Sequence, residues 1–175
     1  MTIPHGTSLS HGETHVLRFT LDLPHPVTEV WAAVATPAGL PRWLAAADEL
    51  QPRIGGRVGL RWLNGDAQGD PTVATGEVSA WDPERVAEYT VTVHGRIRFH
   101  LESPSGTPTP RTTLRFTNEF VGPDAYRLDC LAGWHDHFEL LTEALDLRPT
   151  DWPTWTPARW RTLREEYTHR PAPQV

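Results

Sequence analysis

The sequence predicts an α+β fold, and three features predict it. A half-buried strand near the N-terminus leads into helical spacing. A long central stretch alternates apolar and polar residues, and the helical period returns near the C-terminus. No self-similar period runs through the 175 residues, so one domain is expected rather than a repeat array.

Residues 1–14 carry His, Gly, Ser and Thr without periodicity and read as a flexible tail. In "VLRFTLDLP", Leu17, Phe19, Leu21 and Leu23 point to one side while Arg18, Thr20 and Asp22 point to the other, which is a half-buried strand. "HPVTEVWAAVATP" places Val27, Val30, Trp31 and Val34 at helical spacing, with Pro26 at its first turn and Pro37 at its stop. A second short helix is expected over "AGLPRWLAA", with Leu40, Trp43 and Leu44 as its apolar side. The text then turns β. Val58, Leu60 and Trp62 alternate after the paired Gly55-Gly56, and "TVATGEVSAWDPERVAEYTVTV" reads as two strands joined at Asp82–Arg85. "RIRFHLES" sets Ile97, Phe99 and Leu101 against Arg96, Arg98 and His100. "PSGTPTP" is a loop, and "RTTLRFTNEFV" is the last strand. "GPDAYRLDCLA" reads as a loop holding Cys130. From Trp134 to Leu145, the residues Trp134, Phe138, Leu141 and Leu145 form one helical stripe.

Composition excludes several function classes. A net charge of −6 argues against a general nucleic-acid binder, which shows a basic face. No run is long and apolar enough for a membrane span, and "MTIPHGTSLSHGETH" lacks the basic and apolar blocks of a secretory leader. The single cysteine excludes an intrachain disulfide and favours a reducing, cytoplasmic setting. All positive side chains are arginine, so Schiff-base chemistry and lysine-dependent phosphate loops are excluded.

The stretch "GWHDHFELLTEAL" suggests a metal site until its geometry is considered. On a helix, at ~100° per residue, His135 and His137 diverge by ~200° and cannot share an ion; a helical pair needs i, i+4 spacing. No metal and no cofactor are expected. His137 lies beside the Phe138 stripe and reaches the edge of an interior space; the plainer reading is a rim histidine bonded to water or backbone.

At this point the ordered pattern resembles a known family. "PVTEVWAAVATPAGLPRW", Gly55-Gly56, "GEVSAWDPERV", "TTLRFTNEF" and the Gly133-Trp134 helix start resemble, in order, the SRPBCC (START-like) superfamily. Within it they resemble the branch named after the C-terminal domain of the activator of Hsp90 ATPase. The resemblance covers residues 15–147 and leaves 148–175 as a Trp-rich extension. It implies a helix-grip fold, a bent antiparallel sheet around a long C-terminal helix with a cavity between them, and it carries over no catalytic residue. In the extension, Thr156 and Pro157 open a short helix whose apolar side is Trp160, Leu163 and Tyr167. Such aromatic density packs on something. The domain's own sheet or helix stands first, a homodimer partner second and a lid over the cavity mouth third.

The residues expected to face that cavity are Leu17, Phe19, Trp62, Tyr89, Phe99, Phe116, Phe138 and Leu141, with Trp43 near the mouth, Asn118 on the inward parity and His137 at the rim. The leading reading is a binder of a hydrophobic small molecule, lipid- or polyketide-like, without turnover. A cavity-based enzyme of cyclase, dehydratase or hydrolase type would need a polar pair such as His137 with Asn118 or Tyr89. A co-chaperone-like interaction module is the third reading; against it stands the separate N-terminal domain of such activators, for which this chain has no room.

Overall fold

The computed structural model describes residues 1–65, 69–104 and 109–170. An eight-stranded antiparallel sheet runs in the order β1-β2-β8-β7-β6-β5-β4-β3. Its strands are β1 (Thr7–His11), β2 (Thr14–Leu23), β3 (Ala45–Leu50), β4 (Arg57–Trp62), β5 (Val73–Asp82), β6 (Val86–Val91), β7 (Gly95–Glu102) and β8 (Thr112–Val121). The helices are α1 (Val27–Ala35), α2 (Asp124–Leu145) and α3 (Ala158–His169). The expected α+β helix-grip architecture is present.

The alternation read in the sequence sets the faces. In β2, Leu17, Phe19, Leu21 and Leu23 are buried while Arg18, Thr20 and Asp22 are exposed. β8 follows suit with Leu114, Phe116, Asn118 and Phe120 inward. Register shifts at Asp48 in β3 and Ser79 in β5 insert one extra residue each, the local device that bends a strand. The bent sheet grips α2, whose buried stripe is Leu131, Trp134, Phe138, Leu141 and Leu145.

Three expectations need correction. The tail read over residues 1–14 contains β1, which extends the sheet by pairing Thr7–His11 with Thr14–Arg18, and Ile3 is buried. "TSLSH" shows no apolar pattern because both faces of this edge strand are largely exposed. The second short helix is a single 3-10 turn at Leu40–Arg42, and the alanines after it pair with β4 as a strand. Sheet pairing overrides alanine's helical preference there. The loop read over "GPDAYRLDCLA" is the first half of α2, which places Cys130 on a helix. Polar pairs cover that half: Arg127 reaches Asp124 and Ser8, and Arg164 reaches Asp129. An apolar stripe is therefore absent from its sequence. Of the loop read over residues 104–110, residues 105–108 lie outside those described.

The Trp-rich extension folds back on its own domain. α3 packs along α2 with Leu163 and Tyr167 buried, the Trp160 indole donates to the Asp129 carbonyl at 3.2 Å, and the Trp152 indole donates to the Pro41 carbonyl at 2.7 Å.

The interior between sheet and α2 is occupied by rings. Trp43 and Trp134 stack against Phe138 at centroid separations of 6.1 and 5.9 Å, and Phe116 lies 5.0 Å from it in an edge-to-face arrangement. Phe19 completes the set at 5.1 Å. Truncating Phe138 removes the ring on which four others rest, so Phe138→Ala is expected to lower unfolding free energy by about 3–5 kcal/mol in chemical denaturation. A loss below about 1 kcal/mol would mean that the interior collapses around the gap and is loosely packed.

Candidate functional site

Because the grip is filled, open space lies elsewhere. A cleft of about 170 Å³ sits where the first half of α2 passes the end of the sheet. Its walls include Trp62 from β4, His94 from the turn between β6 and β7, Gly133, Trp134 and His137 from α2, and Trp160 from α3. Three of the chain's eight tryptophans therefore border it.

Gly133 is what keeps this space open. A Cβ built on it would meet only the Trp160 indole nitrogen, at 3.9 Å, so nothing in the packing demands glycine there. Mid-helix glycine costs about 1 kcal/mol relative to alanine. On the opposite wall, His94 follows a γ-turn centred on Val93: the His94 N–H donates to the Thr92 carbonyl at 2.7 Å, and Val93 has φ of +67°. A β-branched residue in that region is strained by about 1–3 kcal/mol. Gly95 then needs its φ of +67°, and a Cβ there would lie 2.2 Å from the Glu119 carbonyl oxygen. The turn is held from outside itself. Tyr126 donates to the Val93 carbonyl at 3.3 Å, and the Asn118 amide donates to the carbonyls of His94 and Arg96 at 2.7 and 3.1 Å.

The imidazoles define the chemistry. His94 lies on Trp62 with ring centroids 4.1 Å apart. Nδ1 of His137 is 2.8 Å from the Gly133 carbonyl, which only accepts, so that nitrogen carries the proton. Nε2 of the neutral ring is then a bare lone pair. Burial pushes both histidines down to about 4, with mutual repulsion adding to the effect at His94, so both rings are uncharged at neutral pH. Their Nε2 atoms are buried and have no hydrogen-bond partner among the described residues. Buried polar atoms are nearly always paired, which makes two orphans beside one cleft the main anomaly of the structure. Cys130, also at the cleft, is pushed up to about 12 by burial and stays a thiol.

His135 faces a different environment, as the helical spacing required. The Tyr167 hydroxyl accepts from the Gly6 N–H at 2.8 Å and shares a 2.9 Å hydrogen bond with His135 Nδ1, which ties the N-terminal segment, α2 and α3 together. Among the described residues, no group of three or more His, Cys, Asp and Glu is arranged to hold a metal.

The expected cavity residues divide sharply. Trp62 and His137 border the cleft. Leu17, Phe19, Trp43, Tyr89, Phe99, Phe116, Phe138 and Leu141 are at most 3% exposed, belong to the packed core and do not border it. Asn118 is inward as expected, but its amide is engaged: besides its two donations, its oxygen accepts from the Trp134 indole at 2.9 Å. It positions the His94 turn against α2 and has no group free for a ligand. The Tyr89 hydroxyl donates to the Val34 carbonyl at 2.9 Å, so neither Asn118 nor Tyr89 pairs with His137. Sequence reasoning missed His94, Gly133, Trp134 and Trp160 as cleft residues. "VTVHG" reads as a strand end, and only a β-branched residue and a histidine crowded against Gly95 hinted at a strained turn.

A family model for the activator of Hsp90 ATPase homolog 1-like protein matches residues 24–146. The chain belongs to this family. This activator-like chain shares its fold with a Bordetella parapertussis protein solved by NMR, at 25% identity and a TM-score of 0.65 over 98% of this chain and 96% of that one. It is likewise similar to CalU16 of Micromonospora echinospora, at 15% identity and a TM-score of 0.67 over 96% and 97% of the two chains. A conserved Enterococcus faecalis protein of unknown function aligns at 16% identity and a TM-score of 0.65, over 93% and 88%. These likenesses establish the fold of the activator-like chain. No curated protein matches it. No helix among the described residues is long and apolar enough to cross a membrane.

The buried histidines also set an acid response. His94, His135 and His137 sit at about 4 in the fold and near 6.5 when unfolded, chiefly through burial, so the stability they carry is complete above 6.5 and is lost as pH falls toward 4. Asp136, raised from 3.8 to about 6 by burial, acts in the opposite sense across 3.8–6. Three imidazoles less one carboxyl leave about two protons taken up on unfolding near pH 5, a slope of about 3 kcal/mol per pH unit. Denaturation midpoints measured from pH 7 to 4.5 should fall accordingly; a flat profile would mean that these rings are not buried neutral.

Proposed function

We propose that this chain binds a small, mainly apolar molecule in the cleft walled by Trp62, His94, Gly133, Trp134, His137 and Trp160, without turning it over. The observation that carries this reading is the pair of orphaned imidazole nitrogens beside an open, tryptophan-lined space that Gly133 leaves unfilled. A concave site that sets aromatic walls beside convergent polar groups is a usual form of a small-molecule site, and here Trp62, Trp134 and Trp160 stand beside His94, His137, Asn64 and Thr72. Its size narrows the expected lipid- or polyketide-like ligand. About 170 Å³ is close to the ~150 Å³ cavity that admits benzene and below the ~300 Å³ where drug-sized sites begin. A single ring system fits; an acyl chain or fused polycycle would have to extend outside.

Binding is favoured over catalysis by the same groups. A base that titrates near 4 is poorly matched to proton transfer at neutral pH, and among the described residues no carboxylate is bonded to either imidazole of the cleft. The homodimer expected through the extension finds little support, because Leu163 and Tyr167 are already buried against α2 and Trp160 is partly buried at the cleft. A reducing, cytoplasmic setting stays part of the proposal, resting on the lone cysteine.

Gly133 offers the test. Gly133→Leu puts a side chain into the cleft without meeting backbone, and it should keep or raise the unfolding midpoint while abolishing the thermal shift that single-ring aromatics give the parent protein. Equal shifts in both proteins would place the ligand elsewhere.

A further inference from the structure

Resting on the cleft as a ligand site, we infer that its occupant is a neutral single-ring aromatic bearing an O–H or ring N–H, which donates to Nε2 of His137 while the ring lies among Trp62, Trp134 and Trp160. The tautomer decides the polarity of that contact. The Gly133 carbonyl fixes the proton on Nδ1, so Nε2 of His137 accepts and cannot donate while the ring is neutral. A ligand with only acceptors, such as an ether or ketone, leaves this lone pair unsatisfied in a dry wall, which costs binding. A ligand with a donor removes the anomaly. His94 has no such lock on its ring, since its hydrogen bonds are made by its backbone, and it adapts to a second polar group on the ligand.

Charge separates the remaining candidates. Asp129 and Asp136 also border the cleft, which disfavours a carboxylate such as benzoate. They do not make it a cation site, because Asp129 is paired with Arg164 at 2.6 Å and Asp136 already lies in the field of the Arg159 guanidinium. The other walls are chiefly aromatic faces and the two imidazoles, with Asn64 and Thr72 as uncharged polar groups. A phenol, an uncharged azole or an enolised ring matches all of these features.

Isothermal calorimetry at pH 7 with phenol, fluorobenzene and benzylammonium tests the inference, since fluorobenzene is nearly the size of phenol and has no donor. Phenol is expected to bind about tenfold more tightly than fluorobenzene, the ratio that one hydrogen bond to an otherwise unsatisfied buried acceptor supplies. In His137→Leu the two should bind alike, with fluorobenzene retained. Should that variant not fold, the ratio in the parent protein decides alone. Equal affinities for phenol and fluorobenzene would leave the cleft as a ligand site and overturn the donor assignment. Tighter binding of benzylammonium than of phenol would overturn neutrality, and no binding of any probe at millimolar concentration would remove the cleft itself.

Discussion

The rest of this structure depends on how the grip is filled. A bent sheet wrapped around a helix leaves a concave volume, and here Phe138 occupies its centre with Phe19, Trp43, Phe116 and Trp134 against it. Interiors pack at nearly crystalline density, so five large rings in mutual contact leave no room for a guest along that part of α2. A cleft remains where the helix continues past the rings toward its N-terminus and carries Gly133 instead of a side chain. The position of the cleft thus follows from the aromatic interior.

Once space is displaced to that end, its chemistry follows from what supports the wall. Asn118 joins three elements: its amide holds two carbonyls of the β6–β7 turn and receives the indole of Trp134. That bracket stabilises a turn with Val93 in the left-handed region and sets the His94 ring on Trp62. Across the cleft, the α2 backbone uses the Gly133 carbonyl to fix the His137 tautomer. Two imidazoles that would be hydrated on a surface are thereby held neutral, with Nε2 of each lacking a hydrogen-bond partner among the described residues. Such an arrangement lowers stability unless something occupies it, which is a physical reason to regard it as a site.

Much of the fold was legible in the sequence. Strict alternation in "VLRFTLDL" and "RIRFHLE", the stripe Trp134–Phe138–Leu141–Leu145 and the Asp82–Arg85 turn each report a face buried against the core. What lacked such a signature was missed: an edge strand exposed on both faces, an alanine strand recruited by its neighbour, and the half of α2 that is covered by ion pairs. The site was less legible, and for a related reason. Inward aromatic residues on strands mark the interior, yet the same alternation is produced whether the interior is hollow or full. Spacing placed Trp62 inward and His137 at the rim of the interior, and both border the cleft. His94, Gly133 and Trp160 gather only through a strained turn, a missing side chain and an extension that folds back, and none of these is periodic.

The chemistry of the cleft turns on one atom: Nε2 of His137, deprotonated and without a hydrogen-bond partner among the described residues. Long-range proton–nitrogen NMR of the imidazole rings at pH 7 reads it directly. The expected spectrum is that of a neutral His137 ring protonated on Nδ1, with an Nε2 resonance in the bare lone-pair range that moves when phenol is added. An imidazolium signal, an Nε2-protonated tautomer, or a resonance unmoved by saturating phenol would contradict it.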